Sequence, residues 1–192
     1  MNKKIFLKKI ILGSAQLGTN YGIKKKFKSS LISKKILKKA FKNNIKIIDI
    51  ADDYKTPFKI LKSQKLGQWK ICYKMSDKLI KKNFFNDDFF EFFFNLLKEL
   101  NIKNLEYFLF HNSKSLNFGY GKKIYESLNQ LKENGFIKKI GISSYSPKEV
   151  RKIIQKFDID VIQIPINIFD QRFLEKKFLK TLKKNRIEIH VR

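Results

Sequence analysis

The chain has 192 residues, 43% of them hydrophobic, enough to bury a sizeable core and to argue for a single domain over 1–192 rather than disorder. A formal charge of +26 invites a polyanion, since a basic face gains affinity by releasing counterions from phosphates. Only Arg151, Arg172, Arg186 and Arg192 among the 43 basic residues carry the guanidinium fork suited to bases and phosphates, however, and the 39 Lys are spread along the whole chain, so a solvated Lys-rich surface is expected rather than a nucleic-acid site.

In chain order, the basic stretch Met1 to Lys9 and the run Ile10-Ile11-Leu12 resemble a signal peptide only superficially. Lys8 and Lys9 leave the apolar run too short for secretion or a membrane span. Strand one is read in Lys9 to Ser14, and a helix from about Ser30 to Asn43 carries Leu37, Ala40 and Phe41 on one face. Strand two is Ile45 to Ile50. A short helix over Pro57 to Leu66 is expected to stop at Gly67 as a C-cap, before strand three at Trp69 to Lys74. The lone Cys72 in that strand excludes an internal disulfide and reads as a small buried hydrophobe in a cytoplasmic protein. A Phe-rich amphipathic helix is expected from about Asn86 to Leu100; its interruptions by Asn86, Asp87, Asp88 and Glu91 suit a core-facing helix, not a bilayer span.

Strand four is Tyr107 to Phe110, followed by a helix over Lys122 to Glu133 that ends at Asn134-Gly135. Strand five is Ile137 to Ile142, and Ser146-Pro147 opens the next helix, proline standing where no amide proton is needed. Strand six is Asp160 to Ile164, helix six is about Leu174 to Asn185, and strand seven is Ile187 to Val191. Strands joined in order by helices, with no reversal and no Gly/Ser linker, predict an α/β fold of the (β/α)8 TIM-barrel type. About seven of the eight units are present, which fits a length below the roughly 250 residues of a full barrel.

In such barrels the C-terminal strand ends form the active site. Asp49, Asp52, Asp53 and Tyr54 fall after strand two, Lys74 at the end of strand three, His111 after strand four, Ser143 and Ser144 after strand five, and Gln163 in strand six. Taken singly, Asp52 and Asp53 read as loop carboxylates, Lys74 as a neutraliser of Asp49, and His111 as a structural histidine. Together they suit carbonyl reduction. Hydride delivered to a carbonyl carbon leaves an alkoxide that needs a proton, which a phenol supplies when a neighbouring ammonium stabilises the phenolate. Tyr54 is that phenol, Lys74 the ammonium, Asp49 its anchor, and His111 a donor that orients the carbonyl oxygen. Lys70 and Lys78 are the alternatives to Lys74 under a shifted register.

The segment Ile47-Ile48-Asp49-Ile50-Ala51-Asp52-Asp53-Tyr54 resembles the aldo-keto reductase signature, with Ala two and Tyr five residues after Asp. Four further segments resemble that family in order: Leu12 to Gly18, Tyr107 to Asn112, Gly135 to Ser144, and Ile162 to Asn167 with its Gln-x-Pro-x-Asn pattern. The resemblance covers essentially the whole chain and implies NADPH-dependent reduction of an aldehyde or ketone, a small carbonyl substrate, with Asp49, Tyr54, Lys74 and His111 catalytic. It also implies that Ser143, Ser144 and Gln163 hold the nicotinamide carboxamide and that Arg192 stands where many members stack an aromatic ring. Ser144 departs from the Asn that is common there. No metal is implied.

The resemblance also implies that most adenosine and pyrophosphate contacts come from beyond strand seven. The chain therefore reads as apparently truncated at Arg192, with a weakened dinucleotide site and unpaired edges at strands one and seven. Two alternatives stay open: an inactive remnant or interaction protein, and a metal-dependent barrel hydrolase using Asp49, Asp52, Asp53, His111 and His190. Against the hydrolase, the acidic cluster comes from one loop, no His-x-His pair is present, and Lys74 would oppose a cation.

Overall fold

The computed structural model describes residue 7 and residues 9–18, 30–64, 66–86 and 88–192. Most of the basic segment at the start of the chain, and Asp87 in the Phe-rich region, lie outside the described residues. The strands are β1 (Ile11–Gly13), β2 (Ile47–Ala51), β3 (Lys70–Met75), β4 (Leu105–Phe110), β5 (Ile137–Ser143), β6 (Val161–Ile164) and β7 (Glu188–Val191). They form one sheet in the order β1-β2-β3-β4-β5-β6-β7, and every neighbouring pair is parallel. The helices between them are α1 (Ser30–Lys42), α2 (Lys55–Lys62), α3 (Asp77–Asn86), α4 (Phe89–Leu100), α5 (Gly119–Glu133), α6 (Pro147–Ile154) and α7 (Lys176–Lys184). A 3-10 turn, Ser113–Asn117, precedes α5. The expected α/β architecture is therefore present as a curled, incomplete (β/α)8 barrel of seven parallel strands.

Successive strand residues face opposite sides of the sheet, and this sorts the side chains. In β2, Ile48 and Ile50 enter the large apolar cluster under the helices while Asp49 takes the other face. In β3, Ile71, Tyr73 and Met75 do the same, leaving Cys72 and Lys74 inward. Cys72, Tyr107, Leu109 and Val161 form a second, small cluster inside the barrel, against Ile47. Gly141 belongs to this inner layer, where a Cβ would collide with the Val161 carbonyl oxygen and the Leu109 side chain. Trp69, at the N-terminal end of β3, packs edge-on against Phe41 of α1 with ring centroids 5.1 Å apart.

Two elements depart from the sequence expectation. The Phe-rich helix begins at Phe89, and α3 precedes it as a separate helix that the hydrophobic pattern hid. The buried face of α3 contains Asn83, whose amide donates to the Leu79 carbonyl at 2.8 Å, so a polar residue interrupts the apolar period. Gly67 is not the cap of α2; the helix ends at Ser63, whose amide donates to the Lys59 carbonyl at 3.3 Å, while the Gln64 amide donates to the Leu61 carbonyl at 2.9 Å. Elsewhere the punctuation is as expected. Ser146 accepts from the Glu149 amide to open α6 behind Pro147, and Gly135 adopts a φ of 78° after α5.

Candidate active site

The carboxyl ends of the strands gather the expected polar residues because the register is level there. Ala51 pairs with Lys74, Met75 with Phe110, and Ser143 with Gln163. Lys74 is the centre of the cluster. Its ammonium lies 2.8 Å from Asp49 Oδ1, and it donates to the Tyr54 hydroxyl at 3.2 Å and to Gln163 Oε1 at 3.2 Å. The Gln163 amide donates in turn to Asp49 Oδ2 at 2.6 Å, so the carboxylate is held on both oxygens. All three of Asp49, Lys74 and Gln163 are buried. Burial pulls the Lys74 ammonium down, but Asp49, and then Tyr54, outweigh it and hold its pKa above the ordinary 10.5.

The loop between β2 and α2 sets the position of Tyr54. Asp52 accepts from the Ser76 amide at 2.7 Å and the Ser76 hydroxyl at 2.5 Å, and its own amide donates to the Lys74 carbonyl at 3.3 Å. Burial pushes the Asp52 carboxyl up, against the opposing pull of those Ser76 bonds. Tyr54 then caps α2, its amide donating to the Ala51 carbonyl. Between these two anchored residues the Asp53 side chain is about half exposed, and its Oδ2 lies 3.3 Å from His111 Nδ1. His111 is fixed from the other side by its amide, which donates to the Met75 carbonyl at 2.9 Å. Its ring stands edge-on to Tyr54, centroids 6.1 Å apart. Burial and the Lys74 ammonium hold its pKa below the ordinary imidazole value, with Asp53, Asp52 and Asp49 pulling the other way.

The residues expected at the nicotinamide are adjacent to this cluster but differ in their commitments. Ser143 is buried and its hydroxyl has no hydrogen-bond partner. The Ser144 hydroxyl accepts from Ser113 Oγ at 3.0 Å and from the Ser146 amide at 3.2 Å. Gln163 is engaged at both ends by Asp49 and Lys74, as above. Arg192 lies with its guanidinium 4.2 Å over the Tyr145 ring and donates to the Tyr145 hydroxyl at 2.9 Å. A cavity of about 970 Å3 reaches from Tyr54, Asp49, Lys74 and Gln163 down between β1 and β7. A recess of about 720 Å3, with His111, Ser143 and Ser144 in its wall, opens beside it.

The structure thus brings Asp49, Tyr54, Lys74, His111 and Gln163 together and assigns Lys74, not Lys70 or Lys78, to the carboxylate. Sequence reasoning missed the parts of Asp53 and Ser113, because both contacts join loops from different strands and no spacing along the chain signals them. The metal-hydrolase alternative finds no support in the geometry. Asp49 is taken by an ammonium, Asp52 by Ser76, and His190 by Glu188 at 3.2 Å. Among the described residues no group of three or more His, Cys, Asp or Glu is placed to hold a metal ion. Likewise, no helix among them is long and apolar enough to cross a membrane.

Parallel strands with helices on the outside, and a buried Lys–Asp pair beside a half-buried Tyr at the carboxyl end, define an incomplete TIM-type barrel. The sequence profile of the aldo/keto reductase family matches residues 9–191, and the chain belongs to that family. Solved structures agree in fold. An aldo-keto reductase of Pseudomonas aeruginosa superposes with a TM-score of 0.69 at 18% identity, over 94% of this chain and 71% of its own. The holo form of an aldo-keto reductase from Bacillus halodurans gives 0.70 at 16%, over 95% and 61%. One from Klebsiella pneumoniae, in complex with NADP and acetate, gives 0.66 at 13%, over 93% and 62%. The chain thus spans between 61% and 71% of the length of these three proteins. No curated protein sequence matches it.

Proposed function

We propose that the chain reduces the carbonyl group of a small aldehyde or ketone, with Tyr54 as proton donor and NADPH as cofactor. The observation that carries this reading is the position of one buried ammonium, Lys74 Nζ, 2.8 Å from Asp49 and 3.2 Å from the Tyr54 hydroxyl. When the phenol gives its proton to the alkoxide, the ammonium stabilises the phenolate left behind, and Asp49 keeps that ammonium charged and in place. His111 supplies the hydrogen bond that orients the carbonyl oxygen. Asp49 and Lys74 are both buried, so their contact is worth more than it would be in solvent.

The residues at the mouth fit a nicotinamide. The orphaned Ser143 hydroxyl offers a donor and acceptor to a carboxamide, and the planar Arg192 guanidinium offers a stacking surface once it leaves Tyr145. Ser144 and Gln163 would contribute by exchanging part of their present bonds. NADPH, when bound there, supplies the hydride. The Klebsiella pneumoniae relative that binds NADP supports the choice of cofactor. The buried, unpaired Cys72 suits a reducing cytoplasm.

A second reading, a non-catalytic interaction protein, draws on the edges of the sheet: among the described residues β1 and β7 each have one strand neighbour. Tyr54→Phe separates the two. The half-exposed ring stays and only the hydroxyl goes, so the enzyme loses at least about a hundredfold in kcat with its fold intact. An unchanged NADPH-dependent aldehyde turnover in Tyr54→Phe would overturn the assignment of the proton donor.

A further inference from the structure

His111 is asked to donate a hydrogen bond, yet its other ring nitrogen is already engaged. Asp53 Oδ2 stands 3.3 Å from Nδ1. The pair lies at ion-pair distance without forming a hydrogen bond, and a carboxylate that close to Nδ1 favours a proton there over a lone pair. A neutral imidazole has one N–H, and with that proton on Nδ1 the Nε2 atom is an acceptor, unable to donate to a carbonyl oxygen. Only the doubly protonated ring donates from both nitrogens.

We propose that Asp53 is a positioning residue that holds His111 in its Nδ1–H form, so that Nε2 donates to the substrate carbonyl only when the ring carries both protons. Asp53 thereby couples carbonyl binding to pH. For the substrate, this rests on the carbonyl-reduction reading above; the hold on the ring does not depend on it.

Asp53 lies between Asp52, tied to Ser76, and Tyr54, tied to Ala51, so its backbone is held by the turn beside the ring. The charged and titratable groups around the ring are Asp53 and Asp52 from that turn, Asp49 from β2, Lys74 from β3 and the Tyr54 phenol. Across the recess stand Asp77 and Lys78 from the start of α3, Lys114 beyond His111, Glu149 of α6 and Arg172 after β6. Asp77 is occupied by Asn112 and Ser115, Glu149 by Ser113, and Arg172 by Asp170. Asp53 is therefore the carboxylate left to the ring. With the His111 pKa held below 6.5 by burial and Lys74, the donating form exists at acid pH and is lost as pH rises through that value.

The chain has two histidines, so long-range proton–nitrogen spectra of the full-length protein resolve both rings, with His111→Gln assigning the peaks. Above its titration, His111 is expected as the Nδ1–H tautomer, and Asp53→Leu, which takes the acceptor away, moves it to Nε2–H. With NADPH and 4-nitrobenzaldehyde, wild-type kcat/KM falls about tenfold per pH unit above the titration, while Asp53→Leu changes less than about twofold over the same range. An Nε2–H tautomer in the wild type overturns the proposal, and so does an unchanged pH limb in Asp53→Leu. Absent turnover, or turnover that survives in Tyr54→Phe, counts instead against the carbonyl-reduction reading; the ring spectra then still decide what Asp53 does.

Discussion

Lys74 Nζ lies 2.8 Å from Asp49 Oδ1, and the two side chains are 4% and 9% exposed, so each is the other's principal counter-charge in a place water hardly reaches. Breaking such a pair from one side strands the remaining charge. Asp49→Asn is expected to cost on the order of 3–5 kcal/mol, and Lys74→Met a similar amount, whereas the double variant costs less than the two together. Urea unfolding of the four proteins gives the coupling, and strict additivity would exclude it.

The same pair sets an alkaline limit. The folded-state pKa of Lys74 is raised above 10.5, so its contribution to stability is complete below that value and is lost as pH rises through the folded value. Melting temperatures taken from pH 8 upward should show this alkaline fall in the wild type and lack it in Asp49→Asn, where burial acts on Lys74 without the carboxylate that raises its pKa.

Glu188 governs the acid side. It bonds to His190 at 3.2 Å, to Lys139 and to the Tyr107 hydroxyl at 3.0 Å, and these partners, against the opposing effect of burial, hold its pKa at about 2, below the ordinary 4.5. A lowered carboxyl pKa stabilises the fold above 4.5, and that contribution disappears as pH falls from there toward 2. Glu188 is about one-third exposed, so solvent screening keeps the effect on the order of 1 kcal/mol. Glu188→Gln should therefore melt below the wild type at pH 7 and level with it near pH 2; a difference that persists at pH 2 counts against this account.

Gly141 is where β5 and β6 meet inside the barrel. A methyl group there meets backbone, the Val161 carbonyl, which cannot rotate away. Gly141→Ala is expected to destabilise by at least about 1–3 kcal/mol. Gly135→Ala, in open space but at a φ of 78°, should lose about 1 kcal/mol through backbone strain alone. Denaturant midpoints compare them directly.

Cys72 is fully buried inside the barrel, and burial, with the Asp49 charge, pushes its thiol well above its ordinary value. A thiol-specific reagent at pH 8 should leave it unmodified in the native protein and label it once the chain is unfolded. Stoichiometric labelling of the native state would show the inner layer open to solvent.

The β-strands were legible because Ile47 to Ala51 and Lys70 to Met75 carry apolar residues on one face and place Asp49, Cys72 and Lys74 on the other. Sequence order alone then ranks Asp49, Tyr54, Lys74 and His111 at one end of a parallel sheet. Three things were not legible. Helix α3 hides behind the buried Asn83, which satisfies its amide within the helix and so tolerates the core. Asp53 and His111 come together only through the register of β2, β3 and β4, which no local pattern records. Gln163 reads as a cofactor ligand by position, but the pair it bridges becomes visible only when β6 is curled round to face β2.

The edge contact of Trp69 with Phe41 has an optical consequence. This is the single Trp of the chain, and it stands at the amino end of β3, opposite the carboxyl end that carries Lys74. Its emission wavelength should shift when α1 separates from the sheet, because the contact with Phe41 is then lost to solvent. That wavelength is therefore a built-in reporter of folding, while bound NADPH, which absorbs where Trp emits, would be read as a loss of intensity at an unchanged wavelength.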